Sequence, residues 1–413
     1  MKALEGFIEQ FGINVEIYDY VTRVLKDASR NLGYQQINLP IIECATSYSE
    51  QVVGKSPWPE WNTRGCFYFN ILNYEKDYDE TPSTERVLLI PEGTVSLTRW
   101  LGTNLGNNTI RLPIKASYLL KCYRNELISS LSSTKKREFT QFGLEILGSD
   151  SPQSDAEILC MTINCLTRLG IKKEEIRIRI NDISIFNHLI CECHLETQSI
   201  QLKELLDSLA EIKAGKNIER KSRVIADIHS ILSKATLTED QITKWNLIIE
   251  QANYEILAAY SYFGNPYKPY FDRLTELKTG FQTLGVILNI DLCVIRSHEY
   301  YTSISYEIDV VTKKNYIEIA GGGRYDRLVS SFVPADFGIQ QVPCTGFAFG
   351  LERLIDLLIK EDRISSPKTI QSRFHFQDHP QQTLIPEDSS ATAYIKAFVT
   401  ATNSDIPTNI QFK

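Results

Sequence analysis

The chain has 413 residues, of which 43% are hydrophobic and 23% are charged, a composition that supports two or three folded domains and excludes a mainly disordered chain. The 44 Lys and Arg residues against 51 Asp and Glu residues give a net charge of -7, so no overall positive field attracts nucleic acid and any such contact must be local. No apolar run approaches the roughly 18 residues of a membrane helix, and the N-terminus lacks a signal-peptide pattern, so we expect a cytoplasmic protein with no membrane partner.

The first part of the chain predicts strands that follow one another with few helices between them. Residues 15–32 carry apolar side chains at helical spacing and end at Gly33, which predicts a helix. Residues 34–43, with Pro40 among them, predict an extended segment at a sheet edge. Strands over 66–72 and 87–90, a hairpin of strands 117–123 and 139–147, a helix over 154–169 and a strand over 176–180 follow.

Residues 184–284 differ, because they are rich in Leu, Ile, Lys and Glu and carry few strand signals. Strands return over 287–295, 303–311 and 316–319, before a glycine turn at 321–323 and a helix that begins after Gly346. We therefore predict an α+β domain with a helical insertion, divided into core (1–183), insertion (184–285), core (286–362) and a short polar tail (363–413). Within the tail, residues 391–400 predict one helix or strand.

The nine cysteines are an odd set scattered along the chain and do not form a disulfide framework. The tightest group of potential metal ligands is His188, Cys191, Cys193 and His194. A C-x-C pair beside one histidine lacks the paired C-x2-C geometry of a structural zinc site, so we predict buried thiols and no metal there.

Two groups of polar residues at strand ends could form a binding site. The sequence Pro91-Glu92-Gly93-Thr94 places a carboxylate and a hydroxyl together, where they could accept hydrogen bonds from an ammonium group, although Glu also suits the first turn of a helix. Along the second hairpin strand, Gln141 and Glu145 share a face with Gly143 between them, which indicates either a binding floor or a solvated face.

Two further groups follow the helical insertion. Arg296, Tyr300 and Tyr301 come directly after an apolar strand and could bind a carboxylate and a ring, or could simply separate two strands. The glycines at 321–323 and the sequence Gly350-Leu351-Glu352-Arg353 allow the backbone to approach a ligand closely, and their spacing is neither that of a P-loop nor that of a dinucleotide fingerprint.

Taken together, the four groups resemble the histidyl-tRNA synthetase family of class II aminoacyl-tRNA synthetases over roughly residues 15–354. The Tyr-Arg-x-Glu hairpin at 123–126 and Gly-Leu-Glu-Arg at 350–353 are typical of class II, while Arg-x3-Tyr-Tyr-Thr at 296–302 and Gly-Gly-Arg-Tyr-Asp at 322–326 are typical of the histidyl group. The resemblance implies an antiparallel sheet flanked by helices, and a homodimer formed through the segment around Pro40. The polar tail does not resemble the family's anticodon-binding domain.

The resemblance also implies ATP and Mg²⁺ as cofactors and histidine as substrate. Arg124 would bind the α-phosphate of ATP and Glu126 the adenine amino group. Arg353 would lie along the γ-phosphate, and Arg296 would bridge the α-phosphate and the substrate carboxylate. Adenylate formation needs no protein nucleophile, and arginines that neutralise the two reacting anions are its main requirement.

The remaining implied roles concern the amino acid. Five residues would bind the ammonium group or the imidazole of histidine, and a sixth would line the same site. The α-ammonium would be held by Glu92, Thr94 and Gln141, the imidazole would be hydrogen-bonded by Glu145 and Tyr301, and Tyr300 belongs to the same substrate-binding group.

The sequence departs from the family at a few positions, and three functions therefore stay open. Ser297-His298-Glu299 stands where the family usually has Gly-Leu-Asp, and the loop after Glu126 is serine-rich. The chain could charge tRNA at its acceptor stem, pass the activated amino acid to another acceptor, or act as a non-catalytic regulatory subunit of ATP phosphoribosyltransferase. Basic residues at 135–137 and 213–223 are candidate phosphate contacts. We favour histidine activation, because a full set of ATP and amino-acid ligands would have no use in a sensor of histidine alone.

Overall fold

The computed structural model describes residues 3–54, 64–75, 81–107, 109–132, 134–213, 218–250, 260–296, 300–313, 316–364, 382–403 and 408–411. Its α-helices are α1 (Ile13–Arg30), α2 (Glu50–Val53), α3 (Thr94–Gly106), α4 (Pro152–Arg168), α5 (Ile183–Glu192), α6 (Ser199–Lys213), α7 (Lys221–Leu232), α8 (Glu239–Glu250), α9 (Lys268–Gln282), α10 (Leu351–Lys360) and α11 (Ala391–Thr402). Its strands are β1 (Gln35–Gln36), β2 (Ile42–Cys44), β3 (Phe67–Asn73), β4 (Ser83–Leu89), β5 (Ile114–Tyr123), β6 (Glu138–Leu147), β7 (Ile176–Asp182), β8 (Ile287–Ile290), β9 (Ile304–Val311), β10 (Tyr316–Arg324), β11 (Cys344–Gly350), β12 (Gln382–Leu384) and β13 (Thr408–Ile410).

The main sheet has eight strands in the order β1-β5-β6-β11-β10-β9-β7-β8. Its pairs are antiparallel except at the two edges, where β1 runs parallel to β5 and β8 runs parallel to β7. A separate antiparallel sheet has the order β2-β4-β3. The predicted α+β class, with an antiparallel sheet flanked by helices, is confirmed.

The long hairpin that the sequence predicts is the pair β5 and β6, in register from Ile114 opposite Leu147 to Tyr123 opposite Glu138. On the other side of β6, strand β11 places Gly346 opposite Glu145. The middle of the sheet therefore joins the hairpin to the glycine-rich strands from the C-terminal part of the core.

The predicted glycine turn at 321–323 is wrong, because these residues lie inside β10 and pair with both β9 and β11. A Cβ atom on Gly321 would lie 1.7 Å from Nη1 of Arg296, and one on Gly322 would lie 2.1 Å from the carbonyl oxygen of Gly346. Here glycine permits the close approach of neighbouring groups to a strand, and it does not reverse the chain.

The strand predicted over 287–295 is also too long, since β8 ends at Ile290. Oδ1 of Asp291 accepts a hydrogen bond from the Cys293 amide at 3.1 Å, and the Val294 amide donates to the Asp291 carbonyl at 2.9 Å. These are the local hydrogen bonds by which Asp forms a turn, and they end the strand before it reaches Arg296.

The described part of the predicted insertion consists mostly of helices, α5 to α9. Helix α6 buries Leu202, Leu206 and Leu209 in the same hydrophobic core as the strands of the main sheet. This packing fixes α6 against the sheet. The division of the chain into core, insertion and tail stays a prediction.

The apolar stretch of the tail is a helix, α11, rather than a strand. It buries Tyr394, Ile395 and Phe398 in the main core, and its first amide, on Ala391, donates to Glu276 of α9 at 2.6 Å. Strands β12 and β13 pair in parallel on either side of this helix in the sequence. The described part of the tail thus packs on the core.

Membrane crossing would require a long apolar helix, and the helices in the described ranges include none of that kind.

Candidate active site

A cavity of about 460 Å³ opens above β6, β10 and β11, beside the first turns of α3 and α10. Every residue that the sequence marked as a site residue lines this one cavity. They are Glu92, Thr94, Arg124, Glu126, Gln141, Glu145, Arg296, Tyr300, Tyr301 and Arg353. Four segments that are far apart in the sequence therefore meet at one place.

The floor of the cavity is β6, on which Gln141 and Glu145 point into the cavity as the period of two predicted. Gly143 between them leaves room for Tyr118, whose Cζ would lie 2.1 Å from an added Cβ. Gly346, on the neighbouring strand, likewise makes room for the carboxyl group of Glu145, because its Cβ would lie 1.3 Å from Oε2. The two glycines thus allow large side chains to fill the space above the floor.

Glu145 is fully buried and holds two hydrogen bonds. The hydroxyl of Tyr325 donates to Oε2 at 2.7 Å, and the hydroxyl of Thr94 approaches Oε1 at 3.4 Å. Burial, helped by the nearby charge of Glu92 and opposed by the hydrogen bonds, raises the pKa of Glu145 to about 8. The carboxyl group can therefore hold or exchange a proton near neutral pH.

Glu92 starts helix α3. Its carboxylate accepts hydrogen bonds from the backbone amides of Thr94 at 2.6 Å and Val95 at 2.8 Å, and the Gly93 amide donates to Oε1 of Gln141 at 2.9 Å. Burial raises the pKa of Glu92, and these backbone hydrogen bonds oppose the increase. The carboxylate thus begins a helix and lines the cavity at the same time.

Arg124 and Glu126 stand at the end of β5, where the hairpin loop begins. Nε of Arg124 donates to the carbonyl oxygen of Pro91 at 3.1 Å, and its guanidinium carbon lies 5.0 Å from the ring centroid of Phe139. Glu126 forms an ion pair with Lys135 at 3.0 Å, which connects the beginning of the hairpin loop to its end. The cation–π contact and the carbonyl contact orient Arg124 across the cavity.

Arg296 adopts the left-handed backbone conformation, with a φ of 52°. Its Nη1 lies 3.8 Å from Glu307 and 4.0 Å from Glu318, distances of loose ion pairs. Nε and Nη1 are buried and receive no hydrogen-bond partner from the described residues. A strained backbone and unsatisfied charged donors are typical of a functional position, where a bound anion supplies the missing contacts. The departure at Ser297-His298-Glu299 lies outside the described residues.

Arg353 and Glu352 lie in the first turn of α10. Nη1 of Arg353 donates to the carbonyl oxygen of Glu318 at 3.1 Å, while its side chain stays 41% exposed at the mouth of the cavity. Oε2 of Glu352 accepts a hydrogen bond from the Thr140 amide at 2.7 Å. Its Oε1 is buried and finds no partner in the described part of the chain.

Two acidic residues that the sequence did not mark, Glu211 and Glu318, also line the cavity. Glu211 lies on α6, in the helical insertion, so no motif signals its position. Glu318 lies three residues before Gly321 on β10. Its position beside the glycine motif could have marked it as a site residue. Glu318 lies 4.0 Å from Nη1 of Arg296.

Lys213, one of the candidate phosphate contacts, is mostly buried and is no longer a candidate. The side chain of Lys213 is only 11% exposed, because its Nζ lies against Ile248 O at 3.3 Å and Cys293 Sγ at 3.1 Å. Arg220, Lys221 and Arg223 of the same basic segment are exposed, and Lys135 and Lys136 line the active-site cavity.

No three His, Cys, Asp or Glu side chains within the described ranges are arranged to hold a metal ion. The ring of His188 packs 4.5 Å from that of Tyr267. Mg²⁺ bound mainly through nucleotide phosphates requires only one or two carboxylates, and the free Oε1 of Glu352 fits that requirement.

The fold is that of the class II aminoacyl-tRNA synthetase core, as two solved structures show. One is described as an ATP phosphoribosyltransferase regulatory subunit/histidyl-tRNA synthetase from Bacillus halodurans, with a TM-score of 0.63, 18% identity and coverage of 100% of this chain and 92% of that one. The other is histidyl-tRNA synthetase from Nostoc sp. PCC 7120, with a TM-score of 0.63, 19% identity and coverage of 100% and 86%.

The family model of histidyl-tRNA synthetase matches residues 78–354, and the chain belongs to this family. Histidine–tRNA ligase of Picosynechococcus sp. is 27% identical over 371 residues, which are 89% of this chain and 76% of that protein. Histidine–tRNA ligase of Saccharolobus solfataricus is 27% identical over 372 residues, with coverage of 89% and 77%.

Proposed function

We propose that the protein activates histidine with ATP to form histidyl-adenylate and transfers the histidyl group to tRNA as its acceptor. The observation that carries this proposal is the convergence of all ten expected ligand residues on one cavity of about 460 Å³. Family membership supports the same reaction class, since the relatives that match along most of the chain are histidine–tRNA ligases.

The chemistry requires a substrate carboxylate oxygen to attack the α-phosphorus of ATP as pyrophosphate leaves. The two reacting groups repel each other, so fixed positive charge at the point of attack lowers the barrier. Arg124, Arg296 and Arg353 all line the cavity. Arg124 and Arg296 would supply this charge at the α-phosphate, and Arg353 would contact the terminal phosphates. None of these groups needs to form a covalent bond with the substrate.

Selection of histidine would depend on the polar groups above β6. Glu145 and Tyr301 both line the cavity and would hydrogen-bond the two ring nitrogens. Tyr300 packs on Tyr301 with 4.9 Å between ring centroids. An amino acid without a hydrogen-bonding ring would cover the buried Glu145 without supplying the hydrogen bond that the imidazole would supply. Such a penalty supports discrimination of ~10⁴-fold or more.

Mg²⁺ would be held by Glu352 together with the ATP phosphates, where it would neutralise phosphate charge. Glu352 itself is fixed by the Thr140 amide through its other oxygen. Its Oε1 is buried and has no partner among the described residues, and this is the reason to assign the cation to Glu352.

The acceptor is expected to be the terminal end of tRNA. Lys135 and Lys136 stand at the edge of the cavity, where a phosphate backbone could be met. Another acceptor, such as an amine or a carrier protein, would use the same adenylate without those lysines. The expected cytoplasmic location stays a prediction.

A second candidate is supported by the description of the Bacillus halodurans protein, which names an ATP phosphoribosyltransferase regulatory subunit beside histidyl-tRNA synthetase. A regulatory subunit would bind histidine without activating it. Histidine-dependent exchange between ATP and pyrophosphate separates the two functions. Exchange that requires histidine, and is not supported by other amino acids, supports activation; histidine binding without exchange supports regulation.

The proposed assembly is a two-fold dimer through the segment around Pro40. The side chains of Ile41 and Ile42 are 39% and 41% exposed, as expected for an interface. Ile37 and Leu39 of the same segment instead pack against a second hydrophobic core, which includes Tyr48, Leu88 and Tyr118. The candidate interface is therefore narrower than the sequence suggested.

A further inference from the structure

Both ends of the helical insertion contact the two residues that follow Tyr301. At the start of the insertion, the hydroxyl of Ser184 on α5 donates to the carbonyl oxygen of Thr302 at 3.4 Å. Near its end, Nη1 of Arg273 on α9 donates to Oγ of Ser303 at 3.4 Å. Two helices that are far apart in the sequence therefore meet at the segment that carries a substrate-binding tyrosine.

Tyr300 and Tyr301 form a wall between two cavities. Both residues line the active-site cavity, and both also line a second cavity of about 420 Å³. Since empty space lies on two sides of the pair, close packing fixes the rings over only part of their surface. The position of the rings therefore depends on the backbone segment that carries them.

Arg273 is itself held by a buried carboxylate, that of Asp155 on α4. Nη2 of Arg273 donates to Oδ2 of Asp155, and Nη2 of Arg324 donates to Oδ1 at 2.9 Å. Burial would raise the pKa of Asp155, but the charges of Arg273 and Arg324 outweigh burial and lower it, so the carboxyl group is charged. Removal of one partner from a buried ion pair is costly, so this carboxylate is a fixed point for both arginines.

The same carboxylate also holds the segment through Arg324, at the end of β10. The Thr302 amide donates to the carbonyl oxygen of Arg324 at 2.8 Å, and the Asp326 amide donates to Oγ1 of Thr302 at 3.2 Å. Arg324 thus holds Thr302 from the main sheet, while Arg273 holds Ser303 from the insertion. Two arginines that share one aspartate fix the backbone directly after the tyrosine pair.

We propose that Arg273 is a positioning residue for the tyrosine pair: it connects Ser303 to Asp155, and this connection holds Tyr301 where its hydroxyl can bind the imidazole. The proposal rests on the proposed function, in which Tyr301 contacts the ring. Arg273 does not line the active-site cavity, so its effect on histidine passes through the segment that it holds. The helical insertion thereby contributes to the selection of histidine without touching it.

The test is a double-mutant cycle between Arg273 and Tyr301 on the full chain. The variants are Arg273→Lys, Tyr301→Phe and the double variant, and isothermal titration calorimetry gives the dissociation constants of L-histidine and of ATP in one buffer. Lysine keeps a positive charge for Asp155 but lacks the planar fork with which arginine binds Asp155 and Ser303 at once.

Arg363→Lys is the matched control. The side chains of Arg363 and Arg273 are both 24% exposed, and Arg363 also pairs with one carboxylate, that of Glu175, at 2.5 Å. Arg363 lines neither of the two cavities. The control therefore reports what the loss of a similar guanidinium does to the protein in general.

Arg273→Lys should raise the dissociation constant of L-histidine about tenfold and that of ATP by less than about twofold. Tyr301→Phe should weaken histidine binding about tenfold in the wild-type protein but less than about threefold in the Arg273→Lys background, because the hydroxyl is no longer held against the ring. Arg363→Lys should change neither the affinity for histidine nor the effect of Tyr301→Phe.

Ser303→Ala replaces Arg273→Lys if thermal unfolding shows that the latter is not folded, because it removes only the hydroxyl that Arg273 contacts. It should reduce the effect of Tyr301→Phe by at least about threefold. Effects that simply multiply overturn the proposal in either cycle. Equal losses of affinity for histidine and ATP also overturn it, and so does a wild-type protein that does not bind histidine.

The proposed function fails separately. If histidine supports no exchange between ATP and pyrophosphate while Arg273 and Tyr301 remain coupled in histidine binding, activation is refuted and the positioning role of Arg273 stands. Exchange without that coupling refutes the positioning role and leaves activation in place.

Discussion

Replacement of Glu145 by Ala should weaken the binding of histidine far more than the binding of ATP. The imidazole would lose a charged hydrogen-bond acceptor, worth ~1.5–3 kcal/mol, which corresponds to an increase of about 10-fold to 150-fold in the dissociation constant. In the proposed arrangement ATP contacts a different part of the cavity, so its dissociation constant should change by less than about threefold. Both constants are measured by isothermal titration calorimetry at pH 9, above the pKa of about 8 of Glu145, so that its carboxyl group is the charged acceptor.

The structure also shows why Ala alone is not a sufficient test. Truncation leaves the buried hydroxyl of Tyr325 without the acceptor that now lies 2.7 Å away, and this costs the fold about 1–3 kcal/mol. Glu145→Gln keeps that acceptor and should show a smaller loss of histidine affinity. Glu138→Ala is the matched control, because Glu138 lies on the other face of the same strand and pairs with Lys121. An equal loss of affinity for histidine and ATP in Glu145→Ala would show that the residue is structural.

The remaining predictions concern stability, assembly and the acceptor. Because the pKa of Glu145 is raised to about 8, its protonated form stabilises the fold, and this stabilisation is lost as pH rises toward and through 8. The melting temperature of Glu145→Gln should therefore fall less than that of the wild type between pH 5 and pH 9. An equal fall in the two proteins would exclude this effect. Light scattering at micromolar concentration should give the mass of a dimer, and Ile42→Lys should give a monomer; a wild-type monomer contradicts the proposed interface. Transfer from preformed adenylate to tRNA should weaken steeply with salt and with Lys135→Ala, whereas transfer to a small amine should not; transfer to amines alone would indicate a non-tRNA acceptor.

Much of the fold could be predicted because its signals are local. The hairpin of β5 and β6 follows from two apolar runs around a polar loop, and helix α4 begins where Ser151 accepts a hydrogen bond from the Gln153 amide at 3.2 Å. Such features depend on residues close together in the sequence. Gln141 and Glu145 share a face for the same reason, since the strand period alone places them together.

The failures have a common cause in long-range contacts. Gly321, Gly322 and Gly323 look like a turn in the sequence, yet their missing side chains accommodate groups such as Arg296 that approach from other segments. Lys213 looks like a solvated charge, yet α6 turns it toward Cys293. Glu211 reaches the active site only because the insertion packs on the sheet, and no spacing within the sequence encodes that placement.

The most direct test of histidine activation is exchange of labelled pyrophosphate into ATP in the presence of L-histidine and Mg²⁺. The wild-type protein should catalyse this exchange, and Arg296→Ala should reduce its rate by ~10²-fold or more, the usual effect of removing one group that stabilises developing charge. Glu204 is exposed on α6 and does not line the cavity, so the Glu204→Gln variant should catalyse the exchange at the wild-type rate. A wild-type protein that binds both histidine and ATP and yet exchanges no pyrophosphate would contradict the proposed reaction.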